Sequence, residues 1–423
     1  MKKGDGRERF GGGIRSGERE EEGFMGFTRD VGIIGGCGHV GLPLALSFAD
    51  RGLKTVIFDL NRQAVESVLQ GKMPFLEVEG PEVLKRVLEK GTLEVGDRPD
   101  RLPECKFLVL VIGTPVDKHL NPSFLGMEKA LDDCLPFLRN GQVLILRSTV
   151  FPGITEHVRN YLASKKLAIS VAFCPERVAQ GYSLREFREL PQIISAFDPA
   201  TLEEVRRLFA HFSPELLEMT PMEAEFAKLI TNAWRYIQFA TVNQFFMIAT
   251  ENGLDFNRIL HACRYKYPRM AGIPGPGFAA GPCLVKDTLQ LAAFCQNQFA
   301  LGHSAMLINE GLPYHLVRLV EKHTPLAGKT AGILGMAFKA ESDDLRDSLS
   351  YKLRKLLTLK ARRVVCTDPY VQDPSLLPLE TVLQEAEVLF IGTPHRVYRK
   401  LQRTPGKIWV DVWNCLPGGE IIS

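Results

Sequence analysis

Short apolar runs alternate with stretches of helical periodicity along most of this 423-residue chain. The runs fall at Val31–Ile34, Thr55–Asp59, Lys106–Ile112, Gln142–Leu146 and Ala168–Phe173. Continuous apolar strands separated by helices predict a parallel sheet covered on both faces. From Pro221 to Gly253 no Gly or Pro interrupts the helical pattern. That predicts one helix of roughly 30 residues, where about 11–12 is usual. A helix so long must pack against something extended, and a partner subunit is the natural candidate. A Gly/Pro-rich loop, Ile273–Cys283, follows, and the alternation then restarts with strands at Lys329–Leu334, Arg363–Thr367, Glu387–Ile391 and Lys407–Asp411.

The fold class is therefore α/β: two doubly wound parallel-sheet domains joined by a helical domain with one long central helix. We place the first sheet domain at 29–215, the helical domain at 216–322 and the second sheet domain at 323–423. Residues 1–28 are rich in Gly, Arg and Glu and have little to bury, so we expect a disordered extension.

Composition narrows the function classes. The chain is 45% hydrophobic and 24% charged with a net charge of +3, and its Lys and Arg form no basic stripe. Nucleic acid is an unfavoured partner, while an anionic small substrate is compatible. The nine Cys are odd in number, irregular in spacing and without a CxxC pair. We expect neither a disulfide framework nor a zinc site, and a reducing cytoplasm. No run approaches the roughly 18 apolar residues of a membrane span.

Gly36-x-Gly38-x-x-Gly41 follows a strand and opens a helix. The first Gly permits the tight turn, the second lets backbone approach a pyrophosphate, and the third lets helix and strand pack closely. The helix N-terminus favours the phosphate charge. Asp59, about 20 residues on at the end of the second strand, suits a ribose 2′-OH and repels a 2′-phosphate. The cofactor read from these residues is NAD rather than NADP. Thr114, in Gly113-Thr-Pro115 at a strand end, is a further candidate contact.

Cys283 stands at a helix start, where the helix dipole is expected to lower a thiol pKa. Asp287 lies one turn on, so both side chains can face one site. A thiolate beside a carboxylate suits attack on an aldehyde and hydrolysis of a thioester. Lys228 and Asn232 are four apart on the long helix and share a face with Glu225, a spacing that suits stabilisation of an oxyanion. Read singly, each fits a structural role as well: a buried Cys, a solvated stripe. Glu176, in Cys174-Pro-Glu-Arg177, and Thr149 occupy strand-end loops.

In order, these motifs resemble the UDP-glucose/GDP-mannose dehydrogenase family from about residue 30 to the C-terminus. Gly36-Cys-Gly-His-Val-Gly-Leu-Pro43 is similar to its GxGYVGLP, with His39 for the tyrosine. Gly113-Thr-Pro115, Ser148-Thr-Val150, Pro175-Glu176, Glu225-x-x-Lys228-x-x-x-Asn232, Gly275-Pro-Gly277 through Cys283 to Lys286-Asp287, and Asp343-Asp-Leu-Arg-Asp347 follow. The resemblance implies Rossmann-like domains, the first binding NAD and the last the nucleotide-sugar, with the catalytic Cys and a homodimer or higher homo-oligomer in the middle. It implies two NAD-dependent oxidations at C6 of a UDP-sugar. Cys283 would be the nucleophile, Asp287 and Thr149 the water-handling groups, Lys228 and Asn232 the oxyanion pair, and Glu176 a carboxylate for thioester hydrolysis. His39, Val40 and Arg346 would lie at the cofactor. Arg269, donated by the partner subunit, Gly275, Gly277 and Lys339 would contact the sugar nucleotide.

Several positions depart from the family pattern. Ala280-Gly281-Pro282 replaces Gly-Gly-His or Gly-Gly-Ser, Val78-Glu79 replaces Pro-Gly, and Gln244 replaces Glu. Pro175-Glu-Arg177 resembles members acting on UDP-N-acetylhexosamines. UDP-glucose or GDP-mannose as substrate, a single-step alcohol or hydroxyacid dehydrogenase using Lys228, and a non-catalytic nucleotide-sugar sensor remain as alternatives.

Overall fold

A computed structural model describes residues 26–113, 124–418, 421 and 422. The extension expected over 1–28 lies largely outside them, but Thr28 is already tied down, its N–H donating to the Glu104 carbonyl at 3.1 Å.

The first sheet has six parallel strands: β1 (Arg29–Ile34), β2 (Thr55–Phe58), β3 (Leu93–Gly96), β4 (Cys105–Leu110), β5 (Val143–Leu146) and β6 (Ser170–Phe173). Their order is β3-β2-β1-β4-β5-β6. The order reverses between β1 and β4, and ligands bind such sheets beyond the strand ends at that switch point. The strands are apolar because both faces are covered: Ile33 and Phe107 face one buried cluster, Leu108 and Leu144 the other. β3 escaped the sequence reading because it is a half-buried edge strand in which Glu94 interrupts the apolar positions.

Two further strands were also not foreseen. β7 (Gln192–Ser195) and β8 (Leu216–Met219) form a small parallel pair. β8 follows directly on residue 215, pairs with β7 and leads into the long helix. Pro221–Glu251 is one helix of 31 residues. It opens on a capping box in which Thr220 and Glu223 exchange side-chain and backbone hydrogen bonds, with Pro221 in the first turn. Helices Leu284–Phe294 and Ala300–Glu321 pack along it.

The second sheet comprises β9 (Thr330–Leu334), β10 (Arg363–Thr367), β11 (Val388–Ile391) and β12 (Ile408–Val410), all parallel in the order β10-β9-β11-β12. Its core is continuous with the far half of the long helix, through Phe246, Leu312, Ile333 and Leu353. The long helix thus bridges both sheets and brings their strand ends toward one cleft.

Candidate active site

The glycine loop after β1 is built for close approach. A Cβ on Gly36 would stand 2.8 Å from Ile57 Cγ2, and one on Gly41 would stand 2.7 Å from Gly36 Cα. Gly38 meets nothing within 4 Å, so it is the open side of the turn. Helix Gly41–Asp50 starts here with Val40 as its cap and no side-chain cap bond. Leu42 N already donates to the Gly38 carbonyl at 3.0 Å and Pro43 carries no N–H, so an anion here would meet the positive end of the helix dipole and the glycine-loop backbone before it. Asp59 accepts from Cys37 N at 2.8 Å and Asn61 N at 2.9 Å, one oxygen each, which leaves each oxygen a lone pair for a ribose hydroxyl. Thr114 lies outside the described residues. The loop thus fits a dinucleotide.

His39 packs against Phe75 with centroids 4.1 Å apart and the rings tilted by 43°. Gln180 Nε2 donates to His39 Nδ1 at 3.0 Å and to Asp344 Oδ2 at 3.1 Å. Asp344 in turn is paired with Arg346 at 2.6 Å. The Gln180 carbonyl accepts from Lys339 Nζ. Gln180, which the sequence did not single out, therefore joins the glycine loop to the segment of the second sheet domain that carries Lys339 and Arg346.

The catalytic candidates converge from three elements. Lys228 and Asn232 are buried on one face of the long helix, overturning the solvated-stripe reading. Lys228 Nζ lies 3.0 Å from Glu176 Oε1, on the turn after β6. Asn232 Nδ2 donates to Asp287 Oδ2 at 2.6 Å, and Lys286 Nζ lies 3.0 Å from Asp287 Oδ1. Asp287 is 0% exposed. Cys283 caps helix Leu284–Phe294 and its electrostatic neighbours are Asp287, Lys228, Glu176 and Lys286, with Arg346 also within reach. Thr149 is half-buried in the turn after β5. Glu225 accepts from Gly153 N, Thr155 N and Thr155 Oγ1 at 2.6, 2.8 and 2.5 Å, and so braces that turn against the long helix.

One expectation is corrected. The Cys283 thiol is pushed up, not down: it keeps an exposed surface, but burial of its surroundings raises it most, and Asp287 and Glu176 add to this against Lys228 and Lys286. Glu176 moves the other way. Burial alone would raise it, but Lys228, Arg147 and the Val178 N–H hold its carboxyl below the ordinary range.

The substrate candidates are less uniform. Gly275 has open space around it. Gly277 is packed beneath Trp413, with both its backbone polar groups bonded to Asn243 at 2.9 and 3.0 Å. Arg269 is exposed on the short turn Pro268–Met270, and its Nη1 donates to Tyr267 Oη at 3.4 Å. Asn243, Trp413 and Arg147, a buried Arg at the end of β5, are further residues of the site that the sequence reading did not pick out. Among the described residues no group of three His, Cys, Asp or Glu side chains is arranged to hold a metal ion, and no helix is long and apolar enough to cross a membrane.

Three models of the UDP-glucose/GDP-mannose dehydrogenase family match the chain: the NAD binding domain at residues 29–213, the central domain at 222–311 and the UDP binding domain at 332–418. An NDP-N-acetyl-D-galactosaminuronic acid dehydrogenase of Ralstonia nicotianae is 27% identical over 408 residues, covering 90% of this chain and 95% of the relative. A UDP-N-acetyl-D-mannosamine dehydrogenase of Methanocaldococcus jannaschii is 27% identical, covering 89% and 88%. Among solved structures, a UDP-D-ManNAc dehydrogenase of Pyrococcus horikoshii superposes with a TM-score of 0.85 at 26% identity, covering 92% and 96%. A UDP-glucose dehydrogenase of Pyrobaculum islandicum superposes with a TM-score of 0.83 at 26% identity, covering 90% and 94%.

Proposed function

The chain belongs to the UDP-glucose/GDP-mannose dehydrogenase family, and on that premise we propose that it oxidises the C6 alcohol of a UDP-N-acetylhexosamine to the uronate in two steps. The observation that carries this reading is the meeting of Cys283, Asp287, Asn232, Lys228 and Glu176 in one constellation beside the dinucleotide sheet, with the thiol at its open side. The choice of an N-acetylated sugar draws on the relatives' names. A similarly close UDP-glucose dehydrogenase structure keeps UDP-glucose as the second reading.

When bound, NAD would supply the hydride acceptor for each oxidation. Gly36, Gly38, His39, Val40, Gly41 and Asp59 would hold it. Lys228 and Asn232 face the substrate oxygen and stabilise its negative charge in each oxidation. Cys283 Sγ adds to the aldehyde carbon, and its thiol proton passes, by way of a neighbouring carboxylate, to the former carbonyl oxygen, giving a thiohemiacetal. Loss of a second hydride and a proton leaves a thioester on Cys283. Asp287 and Thr149 orient water against that thioester, and Glu176 takes a proton from the water and returns it to the Cys283 sulfur as the C–S bond breaks, so that the carboxylic acid and the thiol are released. Because Cys283 is a thiol at neutral pH, it needs a base during its attack, and carboxylates are at hand. Lys339 would supply positive charge toward the nucleotide-sugar, and Arg346 toward the cofactor.

The long helix exposes Ile230, Trp234, Phe245 and Ile248. Beside it an apolar groove of about 970 Å³ is lined by Met247, Leu307, Tyr314 and Leu359 among others. Apolar surface of this kind favours a homodimer or larger homo-oligomer, in which a partner's Arg269 could complete the site. Nine unpaired thiols favour a reducing cytoplasm.

The test is stoichiometry across a panel of UDP-glucose, UDP-GlcNAc, UDP-GalNAc, UDP-ManNAc and GDP-mannose. Two NADH per N-acetylated sugar is expected. One NADH per sugar, or no turnover on any panel member, would sink the proposal.

A further inference from the structure

Arg147 is fully buried at the end of β5. Its guanidinium lies 5.3 Å from the centroids of both Phe187 and Phe209. Nη1 donates to the Cys174 carbonyl at 2.8 Å and to Gln192 Oε1 at 2.7 Å, and Gln192 Nε2 donates to the Pro175 carbonyl at 3.0 Å. Nε and Nη2 find no acceptor among the described residues. An enclosed cation with two unmet donors is costly for a fold. The backbone it grips is the Cys174–Pro175 stretch immediately before Glu176, and Glu176 is its principal electrostatic partner.

We propose that Arg147 is a positioning residue for Glu176: it fixes the turn that presents the carboxylate and places an unscreened positive charge behind it. The inference rests on the role given to Glu176 above. That carboxylate has Lys228 before it on the long helix, Val178 N–H at 2.9 Å on its own turn, and the Cys283 thiol across the cleft. Asp287 and Lys286, on the cysteine's helix, are paired with each other, and Glu225 is taken up by the 153–155 turn. Arg177, next in sequence, is bonded to the Pro191 carbonyl. Arg147 is thus the charge that reaches Glu176 from beneath its own turn. A second positive charge there keeps Glu176 an anion, ready to accept a proton from water, to lower pH than Lys228 alone would allow.

The experiment is the pH dependence of kcat for the full-length enzyme and its Arg147→Met, Arg147→Lys and Glu176→Gln variants, with NAD binding followed by fluorescence as a check on folding. In Arg147→Met the acid limb of kcat should move up by about one pH unit, while NAD affinity stays within about twofold. Arg147→Lys keeps the charge but not the fork. Its limb should stay in place while kcat falls, with KM for the sugar nucleotide little changed. Adding Arg147→Met to Glu176→Gln should produce no further pH shift. A folded Arg147→Met enzyme with the wild-type limb overturns the inference. Should Arg147→Met not fold, a displaced limb in Arg147→Lys overturns it. Wild-type kcat in Glu176→Gln instead overturns the role of Glu176 itself, and so separates the two failures.

Discussion

Asn232 and Asp287 meet at 2.6 Å where the long helix crosses the helix begun by Cys283, and both are buried. The bond fixes the carboxylate one turn below the thiol. Asp287 raises the Cys283 thiol, second only to burial. Asp287→Asn should therefore have opposite effects on two readouts. Removing the negative charge lowers the thiol, so alkylation by iodoacetamide at pH 7.5 should quicken several-fold. Turnover should fall by roughly 10²–10³-fold, as on loss of a positioned acid/base group. Alkylation that slowed with turnover would show that the variant has merely disordered the site.

Lys228→Met should leave Glu176 buried with its principal counter-charge gone. Truncating one member of a buried pair costs about 3 kcal/mol or more. Glu176 is held below its ordinary range, so in the wild type its contribution is present above the unfolded carboxylate pKa and lost as pH falls through the lower folded value. In the variant Glu176 protonates more easily. The deficit should then be largest near pH 7 and shrink as pH falls toward 5. Urea unfolding at several pH values measures it, and Lys228→Met with Glu176→Gln should recover part of the loss. A deficit independent of pH would assign the cost to packing instead.

Glu79 shows both what the sequence reveals and what it hides. The chain departs from the family's Pro-Gly at Val78-Glu79, and Glu79 adopts φ +66°, the left-handed region that favours glycine. Its ion pair with Arg188 is largely exposed and worth little. Relief of left-handed strain, about 1–2 kcal/mol, should outweigh the loss of that pair and the extra freedom of an unfolded glycine. Glu79→Gly should leave stability unchanged or raise it by up to about 1 kcal/mol, read by thermal and urea unfolding. A loss above about 1 kcal/mol would show that the Arg188 contact matters more than the strain.

Doubly buried strands such as β1 and β5 write continuous apolar runs, and the glycine loop writes its own spacing, so the sheets and dinucleotide site were readable. Edge strands β3 and β8 carry no such run. Contacts distant in sequence leave no period at all: Arg147 beneath Cys174, Gln180 bridging His39 and Asp344, and Asn243 across from Gly277 appear only once the chain is folded. Cys283 stands at a helix start as expected, yet its acidity could not be read there, because burial by distant segments, and then the Asp287 and Glu176 carboxylates, raise the thiol.

Gly277→Ala should separate the two halves of the molecule. The new Cβ would fall 2.2 Å from Trp413 Cζ3, and φ is +153°. Asn243 cannot follow a shift of the loop without losing its paired bonds, since its Nδ2 is also committed to Asn309 Oδ1 at 2.9 Å. The loop that leads to Cys283 must therefore move, or the Trp413 ring must. Overpacking of this kind costs roughly 3 kcal/mol. We expect turnover to drop at least tenfold while NAD binding, which depends on the first sheet domain, is retained. Trp413→Ala opens the space under attack, so combining it with Gly277→Ala should restore more stability than either single change predicts. Additive losses would mean that the steric conflict lies elsewhere in the loop.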